Sequence, residues 1–275
     1  MHVAAVQLNA DSNVERNLAA ADRLVREAAA RGAQFVVLPE KWPALGTDEQ
    51  QLAAVADRDG PPVTLARELA AELGIDLLAG SVLERGADGR VRNTSLLIDG
   101  RGEVHCAYSK IHMFDVEVGG HLYRESAITA PGEEVVLCRL ADGTRVGLTV
   151  CYDVRFPELY RVLAVEGAQL ITIPAAFTHT TTAAHWEILL RARAIENQLF
   201  IVAANQVGEH GGGMRSGGHS MIVDPWGEVL ADGGEQVGVI DAEIDLGRIA
   251  AVRETLPSLA GRRPDAYRQR SEVPG

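Results

Sequence analysis

The chain has 275 residues, 47% of them hydrophobic and 23% charged, the composition of an ordinary globular protein long enough to bury a substantial core. That balance excludes disorder as the main state. A net charge of −12, from 26 basic and 38 acidic side chains, disfavours nucleic acid as a partner.

The first residues, MHVAAVQLNADSNVERN, lack a basic segment followed by an apolar one, and no apolar run reaches the length of a membrane span. A cytoplasmic protein with no membrane partner is expected. VAAVQL (3–8) reads as a short strand. Ser12 and Glu15 form a capping-box pattern, Leu18, Ala21, Val25 and Ala28 make an apolar stripe, and Gly32 closes the helix. FVVLP (35–39) is a buried-type strand, residues 63–73 a helix stopped by Gly74, and IDLLAGSVLE returns to strand. NTSLLI and EVHCAYS alternate around an Asp-Gly turn at 99–100 and predict a hairpin.

VGLTV (146–150) is a buried strand running into Cys151, and Pro157 opens a helix that ends at Gly167. LITIPAAF (170–177) is strand, residues 183–198 a long helix, and LFIVAAN (199–205) strand again. The glycine-rich VGEHGGGMRSGG (207–218) is expected to be a mobile lid or a plain linker, since no strand-to-helix transition follows it for phosphate binding. HSMIVDPWGEVLADGG (219–234) predicts a hairpin around Asp-Pro-Trp-Gly, and GVIDAEIDL the last strand. This mixture predicts a single layered α/β domain over residues 1–260 with a C-terminal tail over 261–275. A sheet covered by helices on one face needs a partner layer, which a second, similar sheet supplies in a four-layer α-β-β-α sandwich.

Cys106, Cys138 and Cys151 are an odd set with wide, irregular spacing, neither a disulfide framework nor a metal-binding pattern. Three reduced thiols are expected. His112, His179 and His185 lack the spacing of a helical metal pair, so neither metal nor cofactor is expected.

Three strands run into chemically active residues: FVVLP into Glu40, EVHCAYS into Lys110, VGLTV into Cys151. Strand ends hold side chains rigidly at a cleft. A thiol, a carboxylate and an ammonium suffice for acyl transfer: the ammonium favours the thiolate, the carboxylate takes the proton, and the ammonium then holds the oxyanion together with the backbone N–H of Tyr152. Taken singly, the same residues have plainer readings: Cys151 as a small buried hydrophobe, Lys110 as a surface lysine, Glu40 as a turn residue.

LPEKW (38–42), YSKIHMFD (108–115) and VGLTVCYDVRFPELYR (146–161) resemble, in order, the three catalytic motifs of the nitrilase, or carbon–nitrogen hydrolase, superfamily. AFTHTTTAAHWEILLRARAIENQ (176–198), GHSMIVDPWGEVLA (218–231) and RRPDAY (262–267) resemble signatures of its Nit branch. The resemblance implies the α-β-β-α sandwich, and homodimers or larger oligomers packed through the helix after Cys151 and the helix at 183–198. It implies Glu40 as general base, Lys110 as oxyanion stabiliser, Cys151 as nucleophile, and Glu125 of YRES (123–126) as the glutamate that orients the lysine, although an exposed loop glutamate reads the same way.

The implied reaction is hydrolysis of a small carboxylate-bearing amide, deaminated glutathione or a 2-oxo acid omega-amide, through a Cys151 thioester. N-carbamoyl amino-acid hydrolysis, nitrile hydrolysis and a catalytically silent scaffold are the alternatives. Arg155 is a candidate for the substrate carboxylate, or else pairs with Glu158 to support its loop. Phe114, Phe177 and Thr178 are candidates for the pocket wall, with core packing the competing role for the aromatics. GTDEQQ (46–51) and the 207–218 segment depart from the family pattern and are expected to border the pocket.

Overall fold

The computed structural model describes residues 1–48, 50, 59–118 and 120–267. Residues 49 and 51 of the divergent segment after Leu45, and 268–275 of the expected tail, lie outside the described residues. In chain order the strands are β1 (His2–Gln7), β2 (Phe35–Val37), β3 (Asp76–Leu78), β4 (Val82–Arg85), β5 (Val91–Ile98), β6 (Val104–Ser109), β7 (Asp115–Val118), β8 (His121–Arg124), β9 (Leu137–Arg139), β10 (Arg145–Leu148), β11 (Leu170–Ala175), β12 (Phe200–Asn205), β13 (Val207–Gly211), β14 (Met214–Gly217), β15 (Met221–Val223), β16 (Val229–Asp232) and β17 (Gly238–Glu243).

One sheet runs β17-β1-β2-β3-β5-β4 with β6 also on β5, and the other runs β16-β15-β12-β11-β10-β9. Each has a parallel centre, β1-β2-β3 and β10-β11-β12, flanked by antiparallel strands. The two sheets thus repeat one plan, and the expected α-β-β-α sandwich is what they form.

Period-two alternation explains the layers. Val3 and Ala5 of β1, and Phe35 and Val37 of β2, pack in the core shared with the second sheet. Their neighbours Ala4, Val6 and Val36 pack instead with Leu24, Val25 and Ala28 of the helix Val14–Ala30 and with Val63, Ala66 and Leu69 of the helix Pro61–Leu73. A strand buried on both faces must be apolar at every position, which is why VAAV and FVVL read as continuous runs. Leu159 and Leu163 of the helix Pro157–Val165, and Leu190 and Ala194 of the helix Glu187–Asn197, cover the second sheet.

Several local expectations shift. The first helix is capped by Asn13, not Ser12: the Asn13 side chain accepts the Arg16 N–H at 3.0 Å, while Asp11 accepts the Asn13 N–H at 2.7 Å and holds the cap extended. The helix expected at 183–198 begins with a π-helical turn, Thr182–Trp186, before α geometry is taken up at Glu187. Residues 207–218 are no linker but the antiparallel hairpin β13–β14, whose turn uses glycines at positive φ. A second hairpin, β7–β8, and a short helix, Gly247–Thr255, carry no strong periodicity and were not expected.

The expectation of three reduced thiols is corrected. Cys106 of β6 and Cys138 of β9 form a disulfide with Cα atoms 6.4 Å apart, 32 residues apart in sequence. Both strands belong to different sheets, and both sulfurs sit in the inter-sheet core, a proximity that chain spacing alone conceals. Cys151 remains free. Thiol titration of unfolded, unreduced protein should therefore give one reactive thiol per chain, rising to three after reduction; three thiols before reduction would show that the bridge does not form.

Candidate active site

Glu40 lies just past the end of β2, and its carrier strand is crowded from below. A Cβ on Gly80, which sits at φ 46°, would come within 2.0 Å of the Pro39 carbonyl oxygen, so only glycine lets the two segments pass. Lys110 follows β6, its backbone N–H donating to the Asn93 carbonyl at 2.9 Å. Cys151 follows β10 by three residues at φ 48°, a left-handed conformation unusual for a side-chain-bearing residue, and starts a tight turn ending before Pro157.

The three converge. The Lys110 ammonium, 1% exposed, donates to Glu40 Oε1 at 3.0 Å and to Glu125 Oε2 at 2.7 Å. Glu40 Oε2 accepts the Ala176 N–H at 2.9 Å, a bond from the second sheet to a residue of the first. Cys151, 7% exposed, lines the same cavity as Glu40 and Lys110. These residues form the inner end of a cavity of about 410 Å³, a size suited to a small molecule, whose wall includes Phe114, Tyr152, Phe177 and Thr178.

Charge in this site is set by burial and pairing. Burial works against the Lys110 ammonium, but Glu125 and Glu40 hold it well above the ordinary lysine value, so it is a fixed cation. Burial would raise Glu125, yet Lys110 and then Lys41 depress it to about 2. Its stabilising contribution is therefore present above the ordinary value of 4.5 and is lost as pH falls towards about 2. The Cys151 thiol behaves otherwise than the sequence suggests. Burial first, and Glu40 second, push it well above 9.0, and the opposing pull of Lys110 is outweighed. The Cys151 side chain thus rests as a neutral thiol.

Two supporting residues escape sequence reading. Asn93, fully buried on β5, donates its amide to Glu40 Oε1 at 2.8 Å and Glu125 Oε1 at 3.2 Å, holding both carboxylates. Nothing in RNTS marks it. Asp153, also fully buried, accepts from Tyr108 Oη at 2.7 Å, the Val150 N–H at 2.9 Å, and the N–H and Nδ1 of His112 at 3.1 and 2.7 Å. It ties the Cys151 turn to the segment carrying Lys110. An acid two residues past a candidate nucleophile was the available signal.

The remaining candidates separate. Phe114 stacks edge-on with Tyr152 at 5.1 Å, Phe177 packs on Trp186 at 4.7 Å, and the Thr178 hydroxyl pairs with Thr181 at 2.7 Å. Arg155 is not among the lining residues. Its guanidinium lies over the rings of Phe177 at 5.1 Å and Tyr152 at 5.9 Å, with His185 Nδ1 at 3.4 Å, and it is these rather than Glu158 that hold it. Gly46, Thr47 and Asp48 of the divergent segment, and Gly212 and Met214 of the β13–β14 hairpin, do reach the cavity.

Residues 2–254 match the family described as carbon-nitrogen hydrolase. The chain belongs to this family. The hydrolase is 39% identical over 263 residues to the deaminated glutathione amidase of Synechocystis sp., covering 94% of this chain and 97% of that protein. It is 40% identical over 271 residues to the deaminated glutathione amidase of Rattus norvegicus, with 96% and 83% covered. The crystal structure of the Caenorhabditis elegans NitFhit protein resembles it with a TM-score of 0.89 at 39% identity, over 97% of this chain and 66% of that one. The hydrolase spans 61% of the length of that nitrilase and fragile histidine triad fusion protein.

A thiol raised by burial stays protonated in the fold, and its stabilising effect is fully present below 9.0 and lost as pH rises through the folded value. The ultraviolet difference between wild type and Cys151→Ala should accordingly show no thiolate below pH 9.0; a thiolate band at neutral pH would contradict the assignment. Asn93→Ala leaves two buried carboxylate oxygens short of a donor and should lower urea-unfolding stability by about 1–3 kcal/mol, with Asn93→Asp worse because it adds a third acid.

Proposed function

We propose that this hydrolase cleaves a small carboxylate-bearing amide to acid and ammonia, with Cys151 as nucleophile. The observation that carries the reading is the convergence of Cys151, Glu40 and Lys110, from three separate strands, at the inner end of one cavity. The relatives named deaminated glutathione amidase support an amide of that class, a short chain bearing a remote carboxylate.

Glu40 accepts the Cys151 proton as sulfur attacks the amide carbonyl, so charge separates only when a substrate is present to use it. The oxyanion is held by the Lys110 ammonium and the Tyr152 N–H. Glu40 returns its proton to the nitrogen, the C–N bond breaks, ammonia leaves and a thioester remains. Glu40 then takes a proton from water, hydroxide adds to the thioester, and collapse releases the acid and the thiol. Glu125 acts by fixing Lys110 through the 2.7 Å bond, and Asn93 by fixing both carboxylates.

The helices Pro157–Val165 and Glu187–Asn197 expose Val162, Val165, Ile188 and Ile195, with Ile188 70% exposed. Such apolar faces suit packing against a second copy, and a homodimer or larger assembly through these helices is part of the proposal. No helix among the described residues is long and apolar enough to cross a membrane. A cytoplasmic site of action agrees with the sequence reading but sits less easily with the Cys106–Cys138 bridge.

Ammonia release should be seen with deaminated glutathione or 2-oxo acid omega-amides in preference to N-carbamoyl amino acids and nitriles. Cys151→Ala should fold and lose turnover by at least about a thousandfold. Ammonia release retained by that variant, or found only with carbamoyl compounds, would overturn the reading.

A further inference from the structure

Lys41 is a residue for which neither strand periodicity nor the reaction above has any use. It follows Glu40 directly and takes φ 50°, a conformation that costs a lysine energy and persists only where its surroundings impose it. They do. The Lys41 N–H donates to Ser81 Oγ at 3.0 Å, and the indole of the next residue, Trp42, donates to the Ala79 carbonyl at 3.0 Å from full burial. The backbone is thus clamped on both sides, and the side chain lies in the wall of the cavity, 11% exposed.

Its ammonium is underused. The Lys41 Nζ group lies 3.6 Å from Glu125 Oε1 and makes no hydrogen bond among the described residues. Glu125 feels the charge of Lys41 but does not take a hydrogen bond from it: Lys110 at 2.7 Å, the Phe114 N–H at 2.9 Å and Asn93 at 3.2 Å already serve its oxygens. Lys110, in contrast, is committed to two carboxylates. Arg124 reaches the cavity from the exposed edge of the β7–β8 hairpin, and Arg155 lies outside the lining. Among the described residues, Lys41 is thus a nearly buried cation of the lining whose N–H donors make no hydrogen bond. Without it, the lining carboxylates Glu40, Asp48 and Glu125 would outnumber the cations Lys110 and Arg124 and disfavour an anion, inside a protein of net charge −12.

We propose that Lys41 is the specificity-determining residue of this site, binding the remote carboxylate of the substrate while the amide carbon faces Cys151. This rests on the amidase reading, but selection of anions at the cavity is testable apart from it. Two ratios would be measured in wild type, Lys41→Met and Lys41→Arg. One is kcat/KM for succinamate relative to butyramide. The other is the rate of Cys151 alkylation by iodoacetate relative to iodoacetamide, which needs no turnover. Lys41→Met should lower both ratios by about tenfold or more, the expected effect of losing one partly desolvated charge contact, and Lys41→Arg should keep most of each. Equal losses on the charged and neutral members, leaving the ratios unchanged, would show Lys41 acting only through Glu125 and overturn the proposal, as would wild-type Cys151 that neither reagent alkylates. Absence of turnover on any amide together with an alkylation ratio that depends on Lys41 would reject the amidase reading while leaving the anion site standing.

Discussion

A fully desolvated ammonium between two carboxylates governs this molecule. Lys110 is shut away from water and shared by Glu40 and Glu125. Burying any one of these charges alone would be prohibitive, so each is tolerable only because the others and Asn93 are in place. That mutual dependence fixes the geometry tightly: the carboxylate that faces sulfur cannot swing away without stranding a cation. The thiol beside it rests uncharged because burial, and then the Glu40 carboxylate, outweigh the pull of the Lys110 ammonium.

The site is built by repetition rather than by a special element. Both sheets carry three parallel strands, and the carboxyl ends of those strands, where α/β proteins place their chemistry, meet across the sandwich. Glu40 and Lys110 come from one sheet and Cys151 from the other. The Ala176 N–H to Glu40 bond and the Asp153 network are the cross-links that bring them into register. The hairpins β7–β8 and β13–β14 then close the sides, with His121 touching the space a Cβ on Gly213 would take.

Much of this was legible in advance because it rests on local rules. Continuous apolar runs such as VAAV and FVVL announce strands buried on both faces, the Asp-Gly turn announces β5–β6, and Pro157 opens its helix where its missing N–H costs nothing. Glu40, Lys110 and Cys151 were visible because each ends a strand and sits in an extended motif. What stayed hidden depends on contacts between distant segments. Asn93 is an unremarkable polar residue until two acids fold onto its amide. Cys106 and Cys138 look unrelated until different sheets bring them together. The ordinary expectation of a lysine lowering its neighbour's thiol fails because burial, which spacing cannot report, dominates. Arg155 could be read as a pocket residue or as a partner of Glu158, yet two aromatic faces capture it outside the wall.

The division of reactive groups between two sheets has a consequence for the chain before it is fully folded. Either sheet alone, however well formed, carries only part of the site: one holds the Cys151 sulfur without Glu40 and Lys110, the other those two side chains without the sulfur. The full set of side chains therefore comes together only with the final docking of the layers. Convergence is in this sense a late readout of correct assembly, and the Cys151 thiol gains its shielding from water at the same moment.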